Sequence, residues 1–444
     1  MLINKIKIMR KFQIIKKSSL FIKKNNIYYD SSLNYLDSLE PVAGFGIIQY
    51  WINGIKKTPY SFFLIIKDFL LSFFKINFVT INKLKKKNYK NIIISWSKIE
   101  NFSKDGFYND PYFNTNSNIN VNNCIWFLIH IDDKIPKKIS KNLLLIKKIN
   151  GNFDWIKFIL FFINLKNLIK NINSIIHRQS YQTKTAHSIF NLFKDLLNYK
   201  VKKIIMPYEG QVFQNLIIKK SEIFNKKIET IGFVHNFPPA LPTNLIHRMG
   251  SPKKIIVSGM DQLHCLSKYL LWPKNKILSL ESARFIKKNK DMTSKIYLPG
   301  HINSINFIVN NLKKILLLYP DANIQNFEIK NHPHKLSSKI HVTLIKEIKK
   351  LFKEYKNDID INKNFKKISI FIGATGAIGE ALEYGCVVIH IVENSILQTY
   401  DNELYPSIKI KIISDNIFEY SLIKKGKLIK FGKEFATFKK YLKK

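Results

Sequence analysis

Residues able to do chemistry gather in this chain where strand-like runs end. Asn331-His332-Pro333-His334 sets a histidine just past the run 326–330, and Pro333 restricts the backbone around it. An imidazole there could donate to a departing phosphate oxygen, and a general acid of that kind contributes about 10²–10⁴-fold. The segment Gly373-Ala374-Thr375-Gly376-Ala377-Ile378-Gly379-Glu380 runs on to Gly385 and has the form of a strand end, a tight turn and a helix start. The amides and positive helix end of such a turn suit a phosphate, and glycines at 373, 376 and 379 would let the backbone approach it without Cβ clashes. Thr375 adds a hydroxyl and Glu380 a carboxylate suited to ribose hydroxyls. His332, Pro333, Gly373, Ala374, Thr375, Gly376 and Glu380 therefore form the candidate donor side, for a nucleotide-activated substrate. The pattern is neither a Walker A loop nor a true G-x-G-x-x-G, so a purely structural turn is the plain alternative.

The earlier half offers a base. Pro207-Tyr208-Glu209-Gly210 follows the strand-like run 204–206, and Glu209 is the carboxylate best placed to take a proton from a hydroxyl. His235 and Asn236 end the next run, 229–234, ahead of Pro238, Pro239 and Pro242, which force an irregular loop. Tyr208, Gly210, His235 and Asn236 are the candidate acceptor or cleft residues, and Glu209 and His332 the candidate catalytic pair. A helix-capping carboxylate and a packed imidazole are the bland alternatives for Glu209 and His235. Cys124, Cys265 and Cys386 are odd in number and far apart, which fits neither a disulfide scaffold nor a zinc site and points to a reducing compartment. No metal site is expected.

Elements that position these residues follow a βα rhythm. Strand-like runs at 92–96, 126–131, 204–206, 229–234, 254–258 and 276–280 alternate with helical segments, including 213–225 and 259–271. A charged run at 287–291 separates them from a second series with strands at 295–298, 326–330, 367–372 and 387–391 and a helix over 302–319. Alternation of this kind predicts parallel, doubly wound sheets, whose ligands lie at the carboxyl ends of the strands. A chain of 444 residues is long enough for two domains. The expected division is 1–285 and 286–444, with the boundary near 284–295. The pattern predicts a helix over 59–74, a loop over 105–123 and a basic helical tail from Lys424.

Composition narrows the partners. There are 73 Lys+Arg against 31 Asp+Glu, a net charge of +42, in a chain crowded with Lys, Asn and Ile. Biased codon usage explains part of that, yet the field still favours anionic partners. Without an RNP-type aromatic motif, zinc-finger spacing or basic heptad helix, no specific nucleic acid is expected. The basic N-terminal stretch lacks the apolar core and cleavage site of a signal peptide. Uncharged apolar runs are too short to span a bilayer. Segments 62–74 and 153–163 come nearest, each interrupted by charges; they read as core or amphipathic helices, with contact to an anionic membrane face as the alternative.

The segments 208–211, 232–235, 331–335 and 373–385, with 281–285 (Glu-Ser-Ala-Arg-Phe), resemble bacterial surface-carbohydrate glycosyltransferases of GT-B fold, nearest the sialyltransferase and Kdo-transferase-like families. The resemblance covers roughly 200–390. It implies an α/β, GT-B-like fold with two Rossmann-like domains facing a central cleft, the first on the acceptor side and the second binding the nucleotide sugar. It implies transfer from a CMP-activated sugar acid to a glycan or glycolipid acceptor in lipopolysaccharide or capsule synthesis, without cofactor or essential metal. Glu209 would be the base, His332 would assist departure of CMP, and the Gly-rich turn would hold the phosphate. The chain departs from the family in having Tyr208 where a paired acid is usual and Ala374-Thr375 where a Ser-Ser or Ser-Thr pair is usual. A UDP- or GDP-sugar transferase, a CDP-alditol phosphotransferase and a non-catalytic RNA- or membrane-binding protein are the rival expectations. A cytoplasmic location, peripheral on the inner membrane, goes with the first.

Overall fold

The computed structural model describes residues 11–16, 19–20, 73–84, 89–118, 123–156, 158–159, 181–286, 291–300, 302, 304–331, 338–355, 367–373, 375–433 and 436–443. Its architecture is α/β, with two Rossmann-like sheets.

The first sheet is built from β1 (Phe74–Thr80), β2 (Asn91–Ser97), β5 (Cys124–His130), β6 (Leu143–Phe153), β7 (Lys203–Pro207), β8 (Glu229–Phe233), β9 (Lys254–Val257) and β10 (Ile277–Ser279). Their spatial order is β1-β6-β5-β2-β7-β8-β9-β10, with every pairing parallel except β1 with β6. Central strands of such a sheet are covered on both faces and so read as unbroken apolar runs; β5, Cys-Ile-Trp-Phe-Leu-Ile-His, is buried at all seven positions. The chain runs outward from β2 to β5 and β6, then returns to place β7 on the other side of β2. A topological switch point therefore lies at the carboxyl ends of β2 and β7. Helices α1 (Tyr181–Phe193), α2 (Val212–Phe224) and α3 (Met260–Tyr269) accompany this sheet.

The second sheet has the order β12-β11-β13-β14-β16-β15, from β11 (Lys295–Tyr297), β12 (Glu328–Lys330), β13 (Ile368–Ile372), β14 (Val387–Ile391), β15 (Ile408–Ser414) and β16 (Ile417–Leu422). Its switch point falls between β11 and β13, where Pro299 meets Gly373. Helix α4 (Ile305–Leu318) starts where the Ser304 hydroxyl accepts from the Phe307 amide at 3.2 Å, and it buries Ile308, Leu312 and Ile315 along one stripe. Helix α5 (Lys339–Glu354) buries Leu344, Ile348 and Leu351 at the same spacing. Helix α6 (Ala377–Glu383) follows the Gly-rich turn, and α7 (Ala436–Lys443) is the last described helix.

Four sequence expectations change. Phe74 opens a strand instead of ending a helix; residues 59–72 of the expected helix lie outside the described residues. The expected loop at 105–123 carries the short antiparallel pair β3 (Asn109–Asp110) and β4 (Thr115–Asn116) and buries Tyr108 and Phe113 completely. The β15–β16 hairpin adds antiparallel strands to an otherwise parallel sheet. The tail from Lys424 is irregular before α7, and α7 packs on the first sheet: Phe438 lies 4.7 Å from Phe113 and Tyr441 5.2 Å from Phe233, ring to ring.

The carboxyl ends of the two sheets face each other. Phe237, after β8, seats against α6, and Tyr400 Oη donates to the carbonyls of Pro238 and Thr375, each at 3.2 Å. Tyr405 Oη donates to the Pro239 carbonyl at 3.0 Å. One apolar cluster runs from β7 and α2 through Phe237 into Ile378, Leu382 and Tyr420, so the halves share a core. The cysteines are free and buried. Among the described residues no helix is long and apolar enough to cross a membrane.

Candidate active site at the facing switch points

The backbone after β7 is clamped before any chemistry is considered. Gln214, in the first turn of α2, accepts from the Glu209 amide at 3.0 Å and the Gln211 amide at 3.1 Å, and donates to the Pro207 carbonyl at 2.6 Å. Asn244 Nδ2 donates to the Glu209 carbonyl at 2.8 Å. Gly210 sits at φ +68°, and a Cβ there would fall 2.1 Å from the Asn244 carbonyl oxygen, so only glycine makes this turn. The Glu209 side chain is thereby held at the switch point, 23% exposed.

Glu209 and His235 meet. Oε1 of the carboxylate lies 3.3 Å from Nε2 of the imidazole, while Oε2 accepts from Gln211 Nε2 at 2.6 Å. His235 is 2% exposed, and Asn236 Nδ2 lies 3.0 Å from the same Nε2. Arg284 donates through Nη1 to Asn236 Oδ1. Burial, followed by the charge of Arg284, pushes the His235 imidazole well below its ordinary range, so it rests neutral.

Sequence reasoning did not single out Tyr112, Asp110 and Arg284 as site residues. Asp110 is a buried carboxyl that accepts from Tyr108 Oη at 2.8 Å, the Phe113 amide at 2.6 Å, the Tyr112 amide at 2.9 Å and the Ser95 hydroxyl. Burial outweighs those donors and raises its pKa. These bonds fix the turn that sets Tyr112 edge-to-face with His235, at 4.8 Å and 88°. The Arg284 guanidinium lies 5.7 Å from the Tyr112 ring centre. Burial pushes the Tyr112 phenol up to about 12, helped by Glu209 and Asp110. Burial also lowers the Arg284 pKa, opposed by Tyr112, Glu209, Glu380 and Asp110. Arg284 thus stands between the carboxylates of the first half and Glu380 of the second.

Other expected residues fall elsewhere. Tyr208 is buried in the core: its hydroxyl donates to Asn215 Oδ1 at 2.8 Å and its ring faces Trp272, so it is a packing residue and not part of a cleft. Two glycines of the turn serve an approach different from the expected one. A Cβ on Gly376 would lie 2.6 Å from the Phe237 carbonyl oxygen, and one on Gly379 would lie 2.4 Å from Cγ of the Phe237 ring. They make room for the other half of the protein where room for a phosphate was expected. Thr375 Oγ1 accepts from the Ala377 amide at 3.2 Å. Gly373 sits at φ +69°, its carbonyl accepting from His390 Nε2 at 2.7 Å. Glu380 is 9% exposed. His332, Pro333 and Ala374 lie outside the described residues.

No protein-family model matches the sequence, and no curated protein does. Among solved structures the chain is similar to the apo form of the lipopolysaccharide outer core galactosyltransferase WaaB, at 12% identity and a TM-score of 0.30, over 68% of this chain and 80% of that one. A likeness of that extent carries no weight for activity or substrate. What remains is chemical: a carboxylate and a neutral imidazole in contact, with an arginine beside them, where two switch points meet. Such a pair can take a proton from a hydroxyl and hold it in a hydrogen bond. Among the described residues no group of His, Cys, Asp and Glu is spaced to hold a metal ion.

Proposed function

We propose that the chain is a glycosyltransferase that moves a sugar from a nucleotide donor to a hydroxyl of a surface-glycan acceptor. The observation that carries this is the Glu209–His235 pair, 3.3 Å apart past β7 and β8, with Arg284 lying within reach of both Glu209 and Glu380 of the second half. Glu209 takes the proton of the acceptor hydroxyl as its oxygen attacks. The donor lies toward the second sheet, with Glu380 on its ribose and His332 assisting departure of the phosphate. The family resemblance favours a CMP-linked sugar acid of the sialic-acid or Kdo type and a lipopolysaccharide or capsule acceptor, worked on from the cytoplasmic face without a cofactor. The positive charge favours peripheral contact with the inner membrane.

Thermal unfolding with a panel of nucleotides tests this. CMP is expected to raise the midpoint. UDP or GDP alone doing so moves the proposal to those donors. No protection by any nucleotide, with steeply salt-dependent binding to polyanions, leaves a non-catalytic basic protein. Incubation with the matching nucleotide sugars, followed by their hydrolysis, then identifies the donor.

A further inference from the structure

Of the 73 Lys and Arg residues in the chain, only four are arginines: Arg10, Arg178, Arg248 and Arg284. Lysine supplies positive field almost everywhere, so a guanidinium adds what lysine lacks, a planar fork of five fixed donors. Arg10 and Arg178 lie outside the described residues. Arg248 directs its fork at backbone: Nη2 donates to the carbonyls of Gly210 at 2.8 Å and Asn244 at 3.1 Å, which steadies the turn behind Glu209.

Arg284 is placed differently. Nη1 donates to Asn236 Oδ1, its one hydrogen bond among the described residues. The rings of Tyr112 and Phe285 each lie 5.7 Å from its guanidinium carbon and hold the cation through their faces, which leaves the in-plane N–H groups unused. Nε and Nη2 are not sealed in the interior. Glu209, Glu380 and Asp110 act on the charge electrostatically, but Arg284 makes no ion pair among the described residues. A half-buried guanidinium of this kind has lost part of its hydration, and no carboxylate on its fork replaces it.

Its position says what could. Arg284 stands between Glu209, at the carboxyl end of β7, and Glu380, on α6 of the second half. In the proposed reaction Glu209 meets the acceptor hydroxyl and Glu380 the ribose, so the transferred sugar and its bond to phosphate lie between the two. We infer that Arg284 binds an oxyanion of the donor at that point, with Asn236 as the residue that aims the fork. The inference rests on the proposed reaction for the donor's identity and on the Arg284 geometry for the anion. Two donor groups carry the required chemistry, the nucleotide phosphate and the carboxylate of a sugar acid, since each offers paired oxygens to a guanidinium.

Dissociation constants measured on full-length protein separate the two. One pair of probes is CMP and cytidine, which lacks the phosphate. The other is N-acetylneuraminate and its methyl ester, which lacks the free carboxylate. Arg284→Met is expected to weaken the charged member of one pair by about 10- to 100-fold and to leave its neutral counterpart unchanged. A loss confined to CMP assigns the phosphate, and a loss confined to the sugar acid assigns the carboxylate. Arg284→Lys keeps the charge without the fork, is expected to lose part of the same affinity, and carries the test if Arg284→Met does not fold. Lys274→Met removes an equal charge from an exposed site at the amino end of β10 and is expected to change nothing. Equal losses for charged and neutral probes, the same loss in Lys274→Met, or affinities indifferent to Arg284 would each overturn the inference; if nucleotides still bind, the proposed reaction survives it. Binding of the sugar acid through Arg284 by a protein that binds no nucleotide would overturn the proposed reaction and leave the anion site standing. Binding of none of the four probes would overturn both.

Discussion

Glu209 is asked to do one thing that its amide cannot. Glu209→Gln keeps the size of the side chain but takes no proton, so transfer is expected to fall by about 10²–10⁴-fold while CMP still raises the unfolding midpoint. Retained transfer with lost nucleotide protection would make Glu209 a donor-side residue. His332→Ala should lower turnover by about two orders of magnitude in a folded protein if that imidazole helps the phosphate depart. A pH effect belongs to His390, which is fully buried, donates to the Gly373 carbonyl and lies 3.3 Å from the Tyr420 hydroxyl. Burial brings its pKa down from 6.5 to about 4. Between those values the unfolded chain binds a proton that the folded one does not. Its contribution is therefore complete above pH 6.5 and lost as the pH falls toward 4, with a slope of up to about 1.4 kcal/mol per pH unit. His390→Gln should flatten that part of the stability–pH curve in urea titrations. At this scale the sequence was legible where a residue follows a strand directly: Glu209 and His235, just past β7 and β8, do meet. Arg284, Tyr112 and the two-residue strand that carries Asp110 take their course from tertiary packing, and no spacing rule marks them. Tyr208 was misplaced because a side chain just past a strand can turn either to the crevice or to the core.

Elements explain the Gly-rich turn better than residue types do. Phe237 fills the space beside Gly376 and Gly379, so Gly379→Ala drives a methyl group into its ring. Overpacking of this kind costs about 1–3 kcal/mol. The double variant with Phe237→Ala should lose less stability than the sum of the single changes, as chemical denaturation can measure; simple additivity would place the strain elsewhere. Glu383, at the end of α6, accepts from the amides of Gly426, Leu428 and Ile429 at 2.6, 2.8 and 3.1 Å. Glu383→Ala orphans these donors and should cost at least about 2 kcal/mol. The alternating βα pattern made both sheets legible because buried parallel strands are apolar throughout. The β15–β16 hairpin carried a readable signal, alternating runs around Asp415-Asn416, but the βα rhythm masked it. A glycine that accommodates a ligand and one that accommodates a phenylalanine look alike in a sequence, so the partner of the turn could not be read there.

The whole molecule carries a net charge of +42, and its first sheet ends in an apolar corner where Trp155, Ile156 and Ile159 are 64%, 73% and 53% exposed. Phe153 and Phe158 pack beside Trp155, and Lys184 lies 5.5 Å from the Phe73 ring centre. Surface lysines add about 1 kcal/mol each near an anionic bilayer, within a Debye length of about 8 Å at physiological salt. Binding to anionic vesicles, weak binding to neutral ones and release by high salt are the expected outcome in a flotation assay. Equal binding to both kinds, or none, would leave the lysines as solvated surface. The two-sheet plan was legible from the two βα series, but the return of the tail was not, since nothing local in α7 says which sheet it will cover. That return has a consequence for synthesis. The rings of Phe113, Trp126 and Phe233 are covered by Phe438 and Tyr441, which leave the ribosome more than two hundred residues after Phe233 does. The first half of the protein therefore emerges with an open aromatic face that stays unsealed until α7 has been made and has folded back onto it.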